Sequence, residues 1–522
     1  MSDPFYITTA ISYPNGPPHI GHAYEAIAAD AIARFRRARG QDVRFQTGTD
    51  EHGLKMAQAA RAENVEPRAF ADKMSRLFRE MCDTLNVSYD RFIRTSEEDH
   101  YRASQAIWDA MEKRGDLYLG RYEGWYSVRD EAYYEESELV VGEGGAKLSP
   151  QGTPVEWTVE ESWFFRLSAY QQKLLDLYAQ HPEFIRPESR RNEVVRFVEG
   201  GLSDLSISRT SFSWGVPVPN SPGHVMYVWL DALTNYITGL GYPDDTDLWR
   251  RYWPANIHLI GKDVVRFHAV YWPAFLMSAG LALPKQVYGH GFLLSRGEKM
   301  SKSVGNVVDP IALAERFGVD ALRYFLLREV TFGQDGSYSA EAIVSRANAE
   351  LANSFGNLAQ RVLTQIVRNC GGRLPEIHGH SDADDALFDS VCGAARTTIP
   401  AAFESLALSR ACEAWMQAVF ACNAYIDEQA PWALRKTDPA RMETVLATLY
   451  ICIAVLAVAI RLVIPTSADR LLDAMGVKPE LRSYDGILSH WYSPLAESDF
   501  RLAAPTPLFP RIELETEEGA PA

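Results

Sequence analysis

The chain has 522 residues and 47% hydrophobic content, so it is too long for a single domain and can bury several cores. Its formal net charge of −16 excludes a surface coated with basic residues for bulk nucleic-acid binding, although a local basic groove stays compatible with that charge. The six cysteines are scattered without a CxxC pair, which argues against a disulfide scaffold and against a zinc site built from cysteines.

We expect neither export nor a membrane span. Residues 1–5 run straight into a strand-like stretch, without the basic and apolar regions of a signal peptide or the arginines of a transit peptide. The most apolar late segment, 445–464, contains Thr448 and Arg461 and is flanked by further helical pattern, which favours a buried bundle helix. The expected location is the cytoplasm, with no membrane partner.

Residues 4–50 follow a strand, loop, helix, strand pattern. Residues 5–9 are rich in β-formers, and residues 14–18 form a turn cluster of proline, glycine and asparagine. Apolar residues then recur at helical spacing from His22 until Gly40, and a second strand begins at Val43. This βαβ start predicts a parallel sheet.

The βαβ pattern returns at residues 257–289, with two strand-like runs around a helical stretch. Between the two halves, residues 116–225 are rich in Tyr, Trp, Glu and short β-like runs, which indicates a domain inserted into the sheet. After about residue 340, long amphipathic helices predict an all-helical domain, and the acidic tail 515–522 is expected to fray.

The first motif that carries chemistry is Pro18-His19-Ile20-Gly21-His22, which follows the first strand and begins the first helix. A helix N-terminus offers unpaired N–H groups and the positive end of a dipole, so it suits an anion. Gly21 lets a nucleotide lie close to the backbone. His19 and His22 can donate hydrogen bonds to a phosphate that gains negative charge in the transition state.

The second motif is Lys299-Met300-Ser301-Lys302-Ser303, called the lysine loop here, which has glycines on both sides. Its lysines and hydroxyls suit a departing pyrophosphate, and a mobile loop can close over that group only in the transition state. A solvated basic loop is the plain alternative, and the first motif upstream disfavours it. Together the two motifs predict ATP-dependent activation of a carboxylate.

The two motifs, in this order around an insertion, resemble those of class I aminoacyl-tRNA synthetases. The finer sequence is similar to the methionyl-tRNA synthetase family across nearly the whole chain. The matching stretches are residues 9–16, 48–53, 227–233, 260–263 and 267–268, together with the pairs Asn357/Arg361 and Pro431/Trp432.

This resemblance implies an α/β fold: a Rossmann-type parallel sheet, split by an inserted connective-peptide domain and followed by an α-helical bundle that binds the anticodon. The catalytic domain is expected in two halves, residues 1–115 and 226–290, with the insertion between them at 116–225. A stem-contact region with the lysine loop is expected at 291–347 and the helical domain at 348–505. Residues 506–522 are expected to form a C-terminal segment that packs back on the body before a frayed tail.

The resemblance also implies two chemical steps, in which ATP first activates L-methionine as an adenylate and tRNA(Met) then accepts the amino acid on its terminal adenosine. An ionised carboxylate needs no general base, so the protein mainly positions reactants and neutralises charge, with Mg²⁺ bridging the phosphates. The catalytic residues expected from the two motifs are His19, His22, Lys299 and Lys302, and Gly21 and Ser301 complete the ATP-binding set.

By the same resemblance, Asp50 binds the ammonium of methionine, although a helix N-cap before residues 51–53 is the alternative. The thioether is expected among nine further residues, for whose aliphatic members an ordinary core role stays open. These residues are Ala10, Ile11, Tyr13, Trp229, Ala232, Leu233, Tyr236, Val264 and His268. Asp231 and Asp263 either orient ligand groups or cap helices, and Arg209 either closes over the site or pairs on the surface of the insertion.

Asn357, Arg361 and Trp432 resemble the anticodon-reading group of the family, since loop bases are read by stacking and by hydrogen bonds to their edges. A core tryptophan and a solvated arginine are the alternative. The family's zinc-binding cysteines are missing around residues 122–131, so we expect no structural zinc. The family's dimer-forming C-terminal extension is missing as well, so we expect a monomer.

Three rival functions remain at this level. The same chemistry could serve cysteine, leucine or isoleucine, but the missing zinc ligands disfavour cysteine and the short insertion leaves no room for a large editing domain. A small-molecule nucleotidylyltransferase shares the histidine motif, but the long helical domain disfavours it. An inactive tRNA-binding paralogue is disfavoured because both motifs are intact.

Overall fold

The computed structural model describes residues 2–127, 129, 132–134, 136–295, 298–299, 307–490 and 495–514. Elements are numbered in chain order. The first 115 residues form β1 Pro4–Thr9, α1 Ile20–Ala38, β2 Asp42–Thr49, α2 Leu54–Ala62, α3 Pro67–Thr84, β3 Arg91–Arg94 and α4 Glu98–Lys113. The expected strand, helix and second strand are therefore present at the start of the chain.

The region predicted to be an insertion follows. Its elements are β4 Leu117–Ser127, β5 Ala132–Tyr134, β6 Val140–Val141, β7 Lys147–Leu148, β8 Glu156–Phe165, α5 Gln171–Gln180, β9 Ile185–Arg186, α6 Glu188–Glu199, β10 Leu205–Ser206, β11 Ser208–Arg209 and β12 Val225–Met226. Strands β10, β8, β4 and β5 form an antiparallel sheet in that order.

The chain then returns to the catalytic part. The next elements are α7 Val228–Thr238, α8 Asp247–Tyr252, β13 Ile257–Gly261, α9 Trp272–Ala279, β14 Val287–His290, β15 Leu293–Ser295, β16 Glu298–Lys299, α10 Pro310–Phe317, α11 Val319–Glu329, β17 Gly336–Tyr338 and α12 Ala340–Arg346. A π-helical turn, Phe267–Tyr271, precedes α9.

The central sheet has six parallel strands in the order β3, β2, β1, β13, β14, β9. The chain moves outward from β1 to β2 on one side and places β13 on the other, so the carboxyl ends of β1 and β13 form the crevice where ligands bind in such sheets. The short edge strand β9 belongs to the region predicted as the insertion, yet it pairs with the central sheet. A strand of two residues is too short to give a recognisable sequence pattern.

The rest of the chain is helical. Its helices are α13 Asn357–Cys370, α14 Asp382–Gly393, α15 Ile399–Glu404, α16 Leu408–Gln429, α17 Pro431–Thr437, α18 Pro439–Ile460, α19 Pro465–Ala474 and α20 Tyr484–His490. Helix α18 is long and apolar enough to cross a membrane, but 94% of its most apolar window is buried, as expected for a core helix of the bundle. Near the chain's end, Ile512 exchanges two hydrogen bonds with the Asn348 side chain, at 2.8 and 2.9 Å.

Candidate active site

A cavity of about 400 Å³, called the main cavity here, opens at the carboxyl ends of β1 and β13. All ten residues that the resemblance assigns to methionine line it, and so do Gly21 and His22. Seven further residues line it, of which only Asp263 was considered for a ligand role in the sequence: Ser12, Glu25, Lys55, Tyr227, Asn235, Gly261 and Asp263. The fold therefore brings together segments that lie more than 200 residues apart in sequence.

His19 and His22 cap α1 with their own side chains. Nδ1 of His19 accepts a hydrogen bond from the Gly21 amide at 3.1 Å, and Nδ1 of His22 accepts one from the His19 amide, also at 3.1 Å. A neutral imidazole that accepts at Nδ1 carries its proton on Nε2. Each ring therefore has an Nε2–H group that can donate to a phosphate oxygen, and the ring centroids are 3.8 Å apart.

The backbone amides at this helix end already have partners, which corrects the expectation of an open anion site. Ile20 donates to the Val308 carbonyl at 3.0 Å, Gly21 to the His19 ring, and His22 to the His19 carbonyl at 2.9 Å. A Cβ at Gly21 would lie 2.9 Å from Cε1 of His19, so this glycine makes room for the imidazole. Gly21 and His22 line the main cavity, whereas His19 is not among its lining residues.

Tyr236 and His268 form a buried hydrogen-bonded pair in the wall of the main cavity. Nδ1 of His268 lies 2.9 Å from the Val264 carbonyl, which can only accept, so this nitrogen carries the ring proton. The Tyr236 hydroxyl, 2.6 Å from Nε2, therefore donates to it. Burial lowers the pKa of His268 to about 4, so the ring is neutral at pH 7 and presents no charge to an apolar side chain.

Aromatic stacking fixes the other side of the same wall. The Trp229 ring on α7 stacks on Phe267, with the centroids 3.5 Å apart. Tyr236, two turns further along α7, stacks on His258 of β13 at 4.1 Å. Helix α7 therefore presents one face to the cavity and holds its rings against the strand and turn behind them.

Asp50 is buried in the loop that follows β2, and its amide donates to the Ser12 carbonyl at 2.8 Å. The N-cap of α2 is Gly53, so Asp50 is not its capping residue and lines the main cavity instead. The next residue, Glu51, is fully buried and receives two hydrogen bonds from Arg94, at 2.8 and 3.0 Å. This ion pair anchors the loop that carries Asp50.

A carboxylate that was not among the predicted site residues, Glu25, lines the cavity from the second turn of α1. Its Oε2 lies 2.8 Å from Nε2 of His290 at the end of β14. Burial raises the pKa of Glu25, and although burial opposes the charged His290, the hydrogen bond and charge of Glu25 raise the pKa of that histidine. The helical spacing from His22 to Glu25 was the only signal for this residue in the sequence.

The structure places three other residues whose roles the sequence left open. Asp263 lines the main cavity, whereas Asp231 points away from it and is buried between two histidines. Arg209 is 2% exposed, so it does not pair on the surface. Its guanidinium lies over the Tyr227 ring, 3.7 Å from the centroid.

Of the lysine loop, the structure describes only the backbone of Lys299, which pairs with Leu294 of β15. Ser301 and Lys302, both predicted to bind ATP, lie outside the described residues, as do Met300 and Ser303.

Two family models cover the chain. One, described as tRNA synthetases class I (M), matches residues 5–363, and the other, described as the anticodon binding domain of methionyl tRNA ligase, matches residues 374–519. The methionine–tRNA ligase of Brucella suis biovar 1 is 60% identical over 507 residues, which cover 97% of this chain and 98% of that protein. The chain belongs to the methionine–tRNA ligase family.

Solved structures of the family agree with this assignment. The Mycobacterium tuberculosis methionyl-tRNA synthetase in complex with methionyl-adenylate is 55% identical, with a TM-score of 0.94, and the match covers 98% of this chain and 100% of that one. Its apo form matches with a TM-score of 0.87 at 50% identity, covering 98% of this chain and 99% of that one. The predicted fold class and the predicted methionine–tRNA ligase function are confirmed.

The residues predicted to read the anticodon lie on two parts of the chain: Trp432 falls within the range matched by the anticodon-binding model, whereas Asn357 and Arg361 fall at the end of the range matched by the class I model. Asn357 begins α13, and Arg361 lies one turn later on the same face. Arg361 pairs with Asp427 at 2.7 Å, and its guanidinium lies 5.6 Å from the ring centroid of Trp432. Trp432 is 49% exposed, so the alternative of a core tryptophan is wrong.

Within the ranges that the structure describes, no group of three or more His, Cys, Asp or Glu side chains is arranged to hold a metal ion. All six cysteines are free thiols, and they lie in α3 and in the helical domain rather than in the insertion.

Proposed function

We propose that the main cavity carries out both steps of methionine–tRNA ligation. A carboxylate oxygen of L-methionine attacks the α-phosphorus of ATP, and pyrophosphate leaves. A hydroxyl of the terminal ribose of tRNA(Met) then attacks the adenylate carbonyl, and AMP leaves. One observation carries this proposal. All the residues predicted to bind methionine line the same cavity as Gly21 and His22, and this cavity lies where the strand order of the sheet reverses.

At the amino acid end of the cavity, a carboxylate binds the ammonium of methionine and an uncharged surface contacts its side chain. Asp50 binds the ammonium, and a charge-assisted hydrogen bond of this kind is about twice as strong as a neutral one. The thioether packs against Trp229 and against the neutral Tyr236–His268 pair. Because the hydroxyl proton of Tyr236 and the ring proton of His268 are already donated within the protein, the wall favours an uncharged, polarizable side chain.

The phosphate end uses imidazoles in place of backbone amides. The Nε2–H groups of His19 and His22 donate to phosphate oxygens as negative charge develops, which lowers the barrier most when the donors are already in place. Lys299, Ser301 and Lys302 of the lysine loop bind the departing pyrophosphate.

Mg²⁺ enters as part of the Mg–ATP substrate, because this ion keeps several waters and is usually held by substrate phosphates with one or two carboxylates. The cytoplasmic location, the monomeric state and the domain limits expected from the sequence belong to the same proposal. Light scattering of the purified chain tests the monomer, since a dimer scatters as twice the mass of one chain.

The decisive experiment is ATP–pyrophosphate exchange with a panel of amino acids that includes methionine, homocysteine, leucine, isoleucine and cysteine. Methionine is expected to give the highest kcat/KM, and Asp50→Asn to raise KM for methionine more than KM for ATP. A different best substrate would overturn the proposed specificity, and exchange with none of them would overturn the proposed activation step.

A further inference from the structure

Asp231 lies on α7 between Trp229 and Ala232, which both line the main cavity, yet its carboxylate points away from that cavity. Oδ2 lies 2.6 Å from Nδ1 of His52, and Oδ1 lies 2.7 Å from Nε2 of His100. The side chains of Asp231 and His100 are fully buried, and that of His52 is 2% exposed. A carboxylate this deep is stable only when it accepts hydrogen bonds from its neighbours.

The other ring nitrogens of the two histidines are engaged as well. Nε2 of His52 lies 3.0 Å from the Tyr101 hydroxyl, and Nδ1 of His100 lies 3.0 Å from the Thr238 hydroxyl. Burial disfavours the charged carboxylate, but the charges and hydrogen bonds of both histidines outweigh it and lower the pKa of Asp231 to about 2. The carboxylate is therefore ionised at pH 7, so it acts only as an acceptor and holds both N–H groups.

His52 connects this buried cluster to the loop that carries Asp50. Only Glu51 separates His52 from Asp50. The Glu51 carboxylate accepts a hydrogen bond from Arg94, and the Glu51 carbonyl accepts one from the Trp214 indole N–H at 2.5 Å. The Trp214 ring also packs edge-on against His52, with the centroids 5.3 Å apart. Because Glu51 is held on both sides and directly joins the two residues, a displacement of His52 moves Asp50.

We propose that Asp231 is a positioning residue that sets the distance between Asp50 and the thioether wall of α7, and so determines how well the site recognises the ammonium group of its amino acid. This inference rests on the proposed function, which assigns the ammonium to Asp50. One end of the ligand is held by α7 and the other by the loop after β2, and Asp231 joins the two. A misplacement of about 1 Å at such a contact can cost about 100-fold in rate.

The test measures recognition of the ammonium group itself. Affinities of the full-length chain for L-methionine and for 4-(methylthio)butanoate, which lacks the ammonium, are compared by calorimetry. In the unsubstituted chain we expect methionine to bind at least about tenfold more tightly, as befits a hydrogen bond between charged groups. Asp231→Asn presents an N–H to one of the two histidine N–H groups, so this ratio is expected to fall to about twofold while the analogue binds nearly as before.

A pair of substitutions at His52 covers the case in which the Asp231 variant does not fold. The amide nitrogen of His52→Asn occupies the place of Nδ1 and keeps a donor for Asp231, whereas His52→Leu has none. We expect His52→Asn to keep most of the methionine preference and His52→Leu to lose it. In pyrophosphate exchange, loss of positioning raises KM for methionine and leaves KM for ATP within about twofold, since the groups proposed to bind ATP lie at the start of α1 and on the lysine loop.

Asp384→Asn is the matched control, because Asp384 is also fully buried and bonded to an arginine and a tyrosine, but lies in the helical domain. It is expected to lower stability without changing the preference for methionine. The inference is overturned if the Asp231 and His52 variants fold and keep the full preference, or if KM for ATP rises with KM for methionine. Failure of the proposed function looks different, since the unsubstituted chain would then show no preference for methionine.

Discussion

The guanidinium of Arg361 lies over the exposed indole of Trp432, 5.6 Å from the ring centroid, while its Nη2 is held 2.7 Å from the Asp427 carboxylate. The two side chains come from different helices, α13 and α17, and together they present a flat aromatic face beside a cation on the surface of the helical domain. Such a pair suits an unstacked base of a tRNA loop.

Trp432→Ala should therefore weaken aminoacylation of tRNA(Met) while leaving ATP–pyrophosphate exchange unchanged. Loss of one stacked base costs about 1–3 kcal/mol, which corresponds to about 5- to 150-fold in KM for tRNA. Phe420→Ala is the control, because Phe420 is also exposed, at 45%, on the helical domain. Equal loss of exchange and aminoacylation in Trp432→Ala would indicate a structural role instead.

The two functions of the His19 ring can be separated by substitution. Asparagine at this position can still accept from the Gly21 amide, since it is a good N-cap, but it has no group at the place of Nε2. We expect His19→Asn to keep the unfolding midpoint and to lower kcat of exchange by about 100-fold or more, as for loss of one preorganised donor. His19→Ala should lose both the cap and the rate, which circular dichroism and exchange assays distinguish.

Acidification should destabilise the protein through His268. Its pKa is about 4 in the folded chain and about 6.5 in an unfolded one, so below pH 6.5 the unfolded state binds more protons. The free energy of unfolding is therefore expected to fall by up to about 3 kcal/mol as the pH is lowered from about 6.5 to 4. Urea unfolding at a series of pH values checks this, and His268→Gln should show a shallower decline over the same range.

Arg323 should be among the most destabilising positions to change, since its fully buried guanidinium joins three parts of the chain. It bonds to Asp30 of α1 at 2.6 Å, to the Leu85 carbonyl at 2.9 Å, and to the Val463 carbonyl at 2.8 Å. Arg323→Leu removes a buried partner, which typically costs about 3–5 kcal/mol of unfolding free energy. The exposed Arg250→Leu is the control, and an equal change in both variants would contradict the prediction.

Sequence patterns found the parts of the site whose signals are local. The strand, turn and helix around His19 and His22 are contiguous, and Trp229 and Tyr236 lie two turns apart on one helix, so periodicity places them on one face. The contacts that sequence reasoning missed have no such signal. His52 and Asp231 are 179 residues apart and Glu25 and His290 are 265 apart, so only the folded sheet brings them together.

Local pattern also misjudged what the first helix offers to a ligand. It predicted open amides at the helix end, because capping by histidine is uncommon and cannot be told from phosphate binding in sequence alone. Similarly, β9 is too short for a periodic signal, and its place in the central sheet depends on pairing with β14, about 100 residues later.

The order of strands in the central sheet has a consequence for synthesis on the ribosome. Strand β1 is made well before β13, yet Ile7 pairs with Ile257 on one side, so this central strand stays half-paired until some 250 residues have followed it. Neighbouring elements such as α1 and β2 can form early, but the crevice between β1 and β13 cannot exist until β13 has emerged. A nascent chain released before that point has both histidines of the first motif and no pocket for them to serve.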